Sequence, residues 1–224
     1  MWVNPLFTAD ARQTVVELVR SQSLATLVAA DPLRAAHLPL LVDFEDGHES
    51  DAGEDIVLIG HIPKADPLAA AILAGERVLC IFHGPRAYVS AGWYGSTPGL
   101  STYNFTVAHL SGPATAMADS ADLRAHLVDL IRVHEERSTA EGGTPWTLDD
   151  VAQARIDQLL PAVIGFRIRI DTAQAKTKLG QNRTEEDRLS TQAHLGASDS
   201  SEHRDIAALM AQHEDGTQPR KAGH

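Results

Sequence analysis

The stretch Arg77-Val78-Leu79-Cys80-Ile81-Phe82-His83-Gly84-Pro85-Arg86-Ala87-Tyr88-Val89-Ser90 decides the reading of the fold. Arg77 to Phe82 and Ala87 to Ser90 are β-branched, aromatic and apolar runs, which read as two strands around a Gly84-Pro85 turn. The same texture recurs outward in both directions. Leu24 to Ala29, Leu38 to Phe44 and Ile56 to Ile62 precede it; Tyr103 to Leu110 and Gly165 to Asp171 follow. In the last of these, Phe166, Ile168 and Ile170 alternate with Arg167 and Arg169, so the apolar set faces a core and both arginines face a groove or a partner. Many short strands with few helices between them predict an antiparallel barrel, mainly β with packed helices, over a parallel doubly wound sheet.

The helices lie around this centre. An amphipathic pattern over residues 8 to 20 predicts one, with Thr8 or Asp10 near its start. Pro67 to Leu73 predicts a short one ending near Gly75, and Asp119 to Glu136 the clearest one. A capping pattern from Thr147 to Asp150 opens a helix that ends near Pro161, and Thr184 with Asp187 caps another. Ile206, Ala207, Leu209 and Met210 suggest a last helix. Asp31-Pro32 marks a turn. Asp43 to Asp55 holds seven acidic residues and no Lys or Arg, so it reads as a surface hairpin loop. Ala193 to Ser201 is small and polar, which predicts a linker before that helix and a frayed tail. The expected organisation is one domain over 1–192 and an appendix over 193–224.

At 224 residues the chain can build one substantial core. Nineteen Lys and Arg against thirty Asp and Glu give a net charge of -11, which argues against a general nucleic-acid coat or attraction to an anionic membrane. One cysteine, Cys80, excludes an internal disulfide and a thiolate metal cluster made by this chain alone. No leader pattern and no run of about 18 apolar residues stands out, so the expected compartment is the cytoplasm.

The familiar catalytic signatures are absent from the sequence: no GxxxxGK[ST] or GxGxxG loop, no GxSxG elbow, and no HExxH pair among eleven histidines. No dedicated metal site is therefore expected. Three stretches remain as candidates. Lys176-Thr177-Lys178-Leu179-Gly180-Gln181-Asn182-Arg183 puts three cations among neutral hydrogen-bonding side chains, suited to phosphate or to an ordinary solvated turn. Gly60-His61-Ile62-Pro63-Lys64-Ala65-Asp66-Pro67 ends a strand before a helix, where free N–H groups and Lys64 suit an anion, or where the turn is simply capped. Finally, Phe82, Tyr88, Trp93, Tyr94 and Tyr103 concentrate five of the chain's aromatics in one region, suited to a flat conjugated ligand or a dimer interface.

Ordered blocks along the chain resemble the PaiB-type, FMN-binding negative transcriptional regulators, relatives of the pyridoxamine-phosphate-oxidase-like split barrels. Met1-Trp2-Val3-Asn4-Pro5-Leu6-Phe7 is similar to that family's start, and Ala36-His37-Leu38-Pro39-Leu40-Leu41 to its second-strand signature. Gly60 to Pro67 resembles its glycine-histidine turn, with departures at Pro63 and Asp66. Phe82 to Ser90 with Trp93-Tyr94, then Tyr103-Asn104-Phe105 and Val107-Ala108-His109, then Pro145-Trp146 follow in order. Lys176 to Arg183 is similar to its Lys-x-Lys-Leu-Ser-Gln-Asn-Arg signature, with Gly180 where serine is usual.

The resemblance implies an antiparallel FMN-binding split barrel, a homodimer, and FMN near the subunit interface. It implies cofactor contacts from His61, Lys64, Tyr88, Ser90, Trp93, Tyr94, Lys176, Lys178, Gln181, Asn182 and Arg183. No side chain stands out as a general acid or base; His61 and His109 are the first to test. Four functions are open: an FMN-binding negative transcriptional regulator, for which the acidic charge argues against direct DNA contact but a face bearing Arg167, Arg169 and Lys176 leaves it open; a flavin oxidoreductase without DNA binding; a heme-handling barrel; and a barrel that has lost its cofactor and serves as a dimeric interaction module.

Overall fold

The structure is a computed structural model that describes residues 1–9, 11–43, 56–95, 99–140, 142 and 144–217. The acidic stretch read as a hairpin loop lies mostly outside these residues, as do Asp10 and the end of the tail. After a 3-10 turn at Pro5–Phe7, the elements are α1 (Ala11–Ser21), β1 (Leu24–Ala29), β2 (Arg34–Pro39), β3 (Leu41–Asp43), β4 (Val57–Pro63) and α2 (Ala69–Leu73). They continue as β5 (Arg77–Val89), β6 (Thr102–Ala116), α3 (Ser120–Ala140), α4 (Asp150–Leu159), β7 (Val163–Arg169), β8 (Thr172–Lys178), α5 (Glu185–Gly196) and α6 (Ser201–Thr217). The eight strands pair in the order β2-β1-β5-β6-β7-β4-β3, with β8 on β6. The registered pairs β1–β2, β1–β5, β3–β4, β4–β7 and β6–β7 are all antiparallel.

The strand expectations fail in instructive places. The Gly84-Pro85 break is absent, because β5 runs straight through it. Burial alternates on Val78, Cys80, Phe82 and Gly84, then slips by one residue to Ala87 and Val89, so two strand phases share one strand. Gly84 is packing space: a Cβ there would meet Leu18 Cδ2 at 2.8 Å and Thr106 Cβ at 3.2 Å. The registered pairing with β1 ends at Thr26–Ile81, so the N–H that Pro85 lacks is not needed by β1. The expected strand over Leu38 to Phe44 is instead two, because the chain changes partners at Leu40. β2 pairs with β1 and β3 with β4, while Leu40, fully buried, donates its N–H to the Ser23 carbonyl at 2.9 Å.

β6 passes through Gly112, where a Cβ would overlap the Arg169 carbonyl, so this glycine marks close backbone approach and not a turn. β8 escaped notice because Thr172 to Lys178 alternates small with polar residues; Ala175 alone is fully inside, 3% exposed.

The helices follow more closely. Asp149 caps α4 by accepting from Ala152 N at 2.8 Å, two residues beyond the expected Thr147. Thr184 caps α5 as expected, accepting from Asp187 N at 3.3 Å. The linker predicted from Ala193 is helical to Gly196, because Leu195 is a fully buried anchor. Among the described residues no helix is long and apolar enough to cross a membrane.

The chain divides into two units. One holds Val19–Phe82 and His109–Ala173, with Leu27, Leu40, Leu58, Ile62, Phe82, Phe166 and Ile168 fully buried. The other holds Met1–Leu18, His83–Ala108 and Gln174–His224, where Ala87, Leu179, Leu195, Ile206, Ala207 and Met210 form a buried cluster against Trp93 and Leu209.

Candidate functional site

The basic stretch forms the turn from β8 into α5. Gly180 takes φ +85°, a left-handed conformation that a serine would adopt only with strain. The Gln181 amide clips the turn from inside: its Oε1 accepts from Leu179 N at 2.8 Å and its Nε2 donates to the Thr177 carbonyl at 2.7 Å. Arg183 N donates to the Gly180 carbonyl at 2.8 Å, and the Thr184 cap follows at once. This local geometry collects Lys178, Asn182, Arg183 and Arg188 around a cavity of about 50 Å³, closed by Tyr94, Thr102, Asn104 and Asp187. Gly180 also lines it; a Cβ there would lie 3.9 Å from both Arg183 Cγ and Arg188 Cγ.

The charges are held in different ways. Lys178 donates to Thr102 Oγ1. Burial, and then the neighbouring Lys176 and Arg183, hold its ammonium below the usual lysine range. The Arg183 guanidinium lies 4.4 Å from the Tyr94 ring centroid and donates to the Leu100 carbonyl at 3.3 Å. Arg188 is matched by Glu214 of α6, with one contact at 2.9 Å, and donates to the Arg183 carbonyl at 2.8 Å. Asp187, 2% exposed, accepts from Gly95 N at 3.0 Å.

Asn104 is also 2% exposed; its Nδ2 lies 3.6 Å from Met210 Sδ, and its Oδ1 has no hydrogen-bond partner among the described residues. A buried acceptor of this kind is met by a hydrogen-bond donor such as an ordered water. The cavity has room for a phosphoryl group or a few waters. It is far below the roughly 300–1,000 Å³ of pockets that enclose a whole ligand.

Of the residues singled out from sequence, Tyr94, Lys178, Asn182 and Arg183 line this cavity. Gln181 supports the turn behind it. Ser90 caps the 3-10 turn Ala91–Trp93, accepting from Gly92 N at 3.2 Å. Trp93 stacks on His194 at 5.1 Å between centroids. Tyr88 meets Tyr103 edge to face at 5.6 Å, and both are about half exposed. Lys176 sits over Phe105, Trp2 and Phe7, with Nζ 5.5, 5.6 and 6.0 Å from their centroids. Asn104, Asp187 and Arg188 were missed as cavity residues. The readable signal was a polar residue at an inward position of a strand, and Asn104 alone carried it.

His61 and Lys64 belong to the other unit. His61 Nδ1 lies 3.2 Å from His126 Nε2, and burial lowers the His61 pKa below the ordinary imidazole value. Lys64 Nζ donates to the Pro161 carbonyl at 2.6 Å. The helix start beyond it is occupied from within, since Asp66 Oδ1 accepts from Leu68 N at 2.8 Å and α2 has only five residues. Cys80 is fully buried, which pushes its thiol up to about 12 and fits it for packing, not nucleophilic attack.

Comparison with known proteins places this geometry in context. The family described as "Putative FMN-binding domain" matches residues 1–172. The chain is 27% identical over 212 residues to "Protease synthase and sporulation protein PAI 2" of Bacillus subtilis (strain 168), covering 94% of this chain and 96% of that one. In fold it is similar to the FAD and heme binding protein from Mycobacterium smegmatis, with a TM-score of 0.54 and 17% identity over 82% of this chain and 78% of that one. It is equally similar to the flavocytochrome Anf3 from Azotobacter vinelandii, with a TM-score of 0.54 and 15% identity over 82% and 75%. The antiparallel pairing, the resemblance of the sequence blocks and the family match agree: the chain is a split barrel with packed helices and belongs to the family of "Putative FMN-binding domain" proteins.

Proposed function

We propose that this protein binds FMN and works as a PaiB-type regulator, holding the cofactor phosphate in the cavity at the β8–α5 turn. The observation that carries this reading is the convergence of Lys178, Asn182 and Arg183 on a space of about 50 Å³. Cations and amides of that kind pair with phosphate oxygens, and the volume admits a phosphoryl group but no isoalloxazine. Of the carried-over residues, Lys178, Asn182 and Arg183 hold the phosphate and Tyr94 borders it. FMN supplies hydride and single-electron chemistry when bound, and this chain's residues bind it, orient it and set its surroundings. The ring then needs a wall outside the cavity, for which a second copy of the chain is the natural source. Trp2, Tyr88 and Tyr103, at 74%, 48% and 55% exposed, offer an apolar surface to that copy.

The direct test is a titration of purified protein with FMN and with riboflavin, followed by quenching of flavin fluorescence. Saturable FMN binding much tighter than riboflavin binding supports the reading; equal affinity for the two removes the phosphate assignment.

A second reading, a flavin oxidoreductase without direct DNA binding, is favoured by the helix surfaces. α5 opens with Glu185 and Glu186, while α3 and α6 open with Asp122 and Glu202, the wrong sign for a phosphate backbone. Bleaching of bound flavin by NADH or NADPH, with reoxidation in air, selects this reading; a salt-dependent shift of promoter DNA selects the regulator that touches DNA itself.

A further inference from the structure

A groove of about 660 Å³ runs between α3 and the strands β3 and β4, inside the range of pockets that enclose small ligands. All of its lining belongs to the unit that lacks the basic turn, so it is a different cavity from the one assigned to phosphate. One wall is apolar, with Val19, Leu41, Val42 and Ile59, and Val133 of α3 adds an apolar side chain to the lining. Val19 and Ile59 are buried, while Leu41, Val42 and Val133 keep part of their surface open.

The other wall is the charged face of α3. Asp122, Asp129 and Glu136 recur every seven residues, so they stand above one another every second turn. Each meets a guanidinium: Asp122 with Arg167 at 3.5 Å, and Asp129 and Glu136 with Arg132 at 3.5 and 3.0 Å. The lining also holds Arg20 and Arg137. Arg137 is half-buried and has no ion-pair partner among the described residues. In a chain of net charge -11, an arginine without a carboxylate partner beside apolar side chains is a specific arrangement.

We propose that this groove binds a small amphipathic monoanion, a medium-chain or aryl carboxylate, with its apolar body on Leu41, Val42 and Val133 and its carboxylate at Arg137. A guanidinium beside hydrocarbon favours a planar carboxylate, which it meets through two parallel N–H donors. A neutral hydrocarbon leaves that cation without a partner, and an organic cation is repelled by it. One uncompensated charge matches a monocarboxylate better than a phosphate dianion.

The probe is decanoate, titrated calorimetrically into the full chain with FMN in excess, so that a failure of flavin binding at the other cavity is seen separately. Expected are one site per chain, binding at least tenfold weaker in Arg137→Gln, and a return toward the original affinity in Arg137→Lys. Val133→Trp, which fills the groove, abolishes the heat while leaving the circular-dichroism melt and the FMN titration unchanged. Decyltrimethylammonium gives no saturable heat. The proposal is overturned if Arg137→Gln binds decanoate as well as the original, if the decyl cation binds equally, or if FMN displaces decanoate and so claims the groove for itself.

Discussion

Lys178 is the residue on which the cofactor reading turns. Its ammonium is held below the usual range by burial and by Lys176 and Arg183, so an anion beside it relieves all three at once. Lys178→Ala is expected to weaken FMN binding by about 1.5–3 kcal/mol, roughly ten- to a hundredfold, in a fluorescence titration, with riboflavin affinity unchanged. Asn104→Leu, which removes an amide that lines the cavity, should keep the fold and lose FMN affinity; an unchanged titration curve refutes its place in the site. Cys80 gives a control of another kind. With its thiol pushed up to about 12 by burial, it should ignore a thiol reagent at pH 8 in the native protein and react at once in denaturant. Of these residues, Lys178 and Arg183 were legible as a rare basic cluster in an acidic chain. Asn104 was legible as a polar residue at an inward strand position, but nothing in a sequence says that such a residue will be buried without a partner.

At the scale of elements, α6 is clamped by the Arg188–Glu214 pair and by Ile206, which is fully buried. Ile206→Ala should cost about 2–5 kcal/mol in denaturant unfolding. Hydrogen bonding from Arg188 holds the Glu214 carboxyl below its usual range. Its share of the stability is therefore present above the ordinary glutamate value of about 4.3 and is lost as pH falls through the folded value. Glu214→Gln should flatten the acid limb of a stability–pH curve between about pH 5 and 3. His61 works in the same direction one step higher. Burial lowers its pKa, so its neutral form stabilises the fold above about 6.5 and that stability drains as pH falls below it. β1 and the caps of α5 were readable because local rules decide them. β5 was misread at Gly84 because a glycine that makes room for Leu18 looks, in sequence, the same as one that makes a turn. β2 and β3 were fused because the change of strand partner at Leu40 is a tertiary event.

For the whole molecule, the charge of -11 sets the terms of association. Like-charged chains meet only where apolar surface outweighs repulsion, and the exposed rings of Trp2, Tyr88 and Tyr103 are part of such surface in their unit. Sedimentation should show a dimer whose affinity rises with salt, and Tyr103→Asp should shift it toward monomer; a monomer at all salt concentrations removes the interface. If the cofactor phosphate sits beside Lys178 as proposed, that small cavity has a consequence for which flavin the protein holds. A hold the size of one phosphoryl group grades flavins by their tail. Under the proposed phosphate assignment, the free vitamin ends in a hydroxyl that leaves the cations unmatched. Occupancy would then follow the activity of the kinase that phosphorylates riboflavin, and the protein would sense the flavin economy through that one esterification.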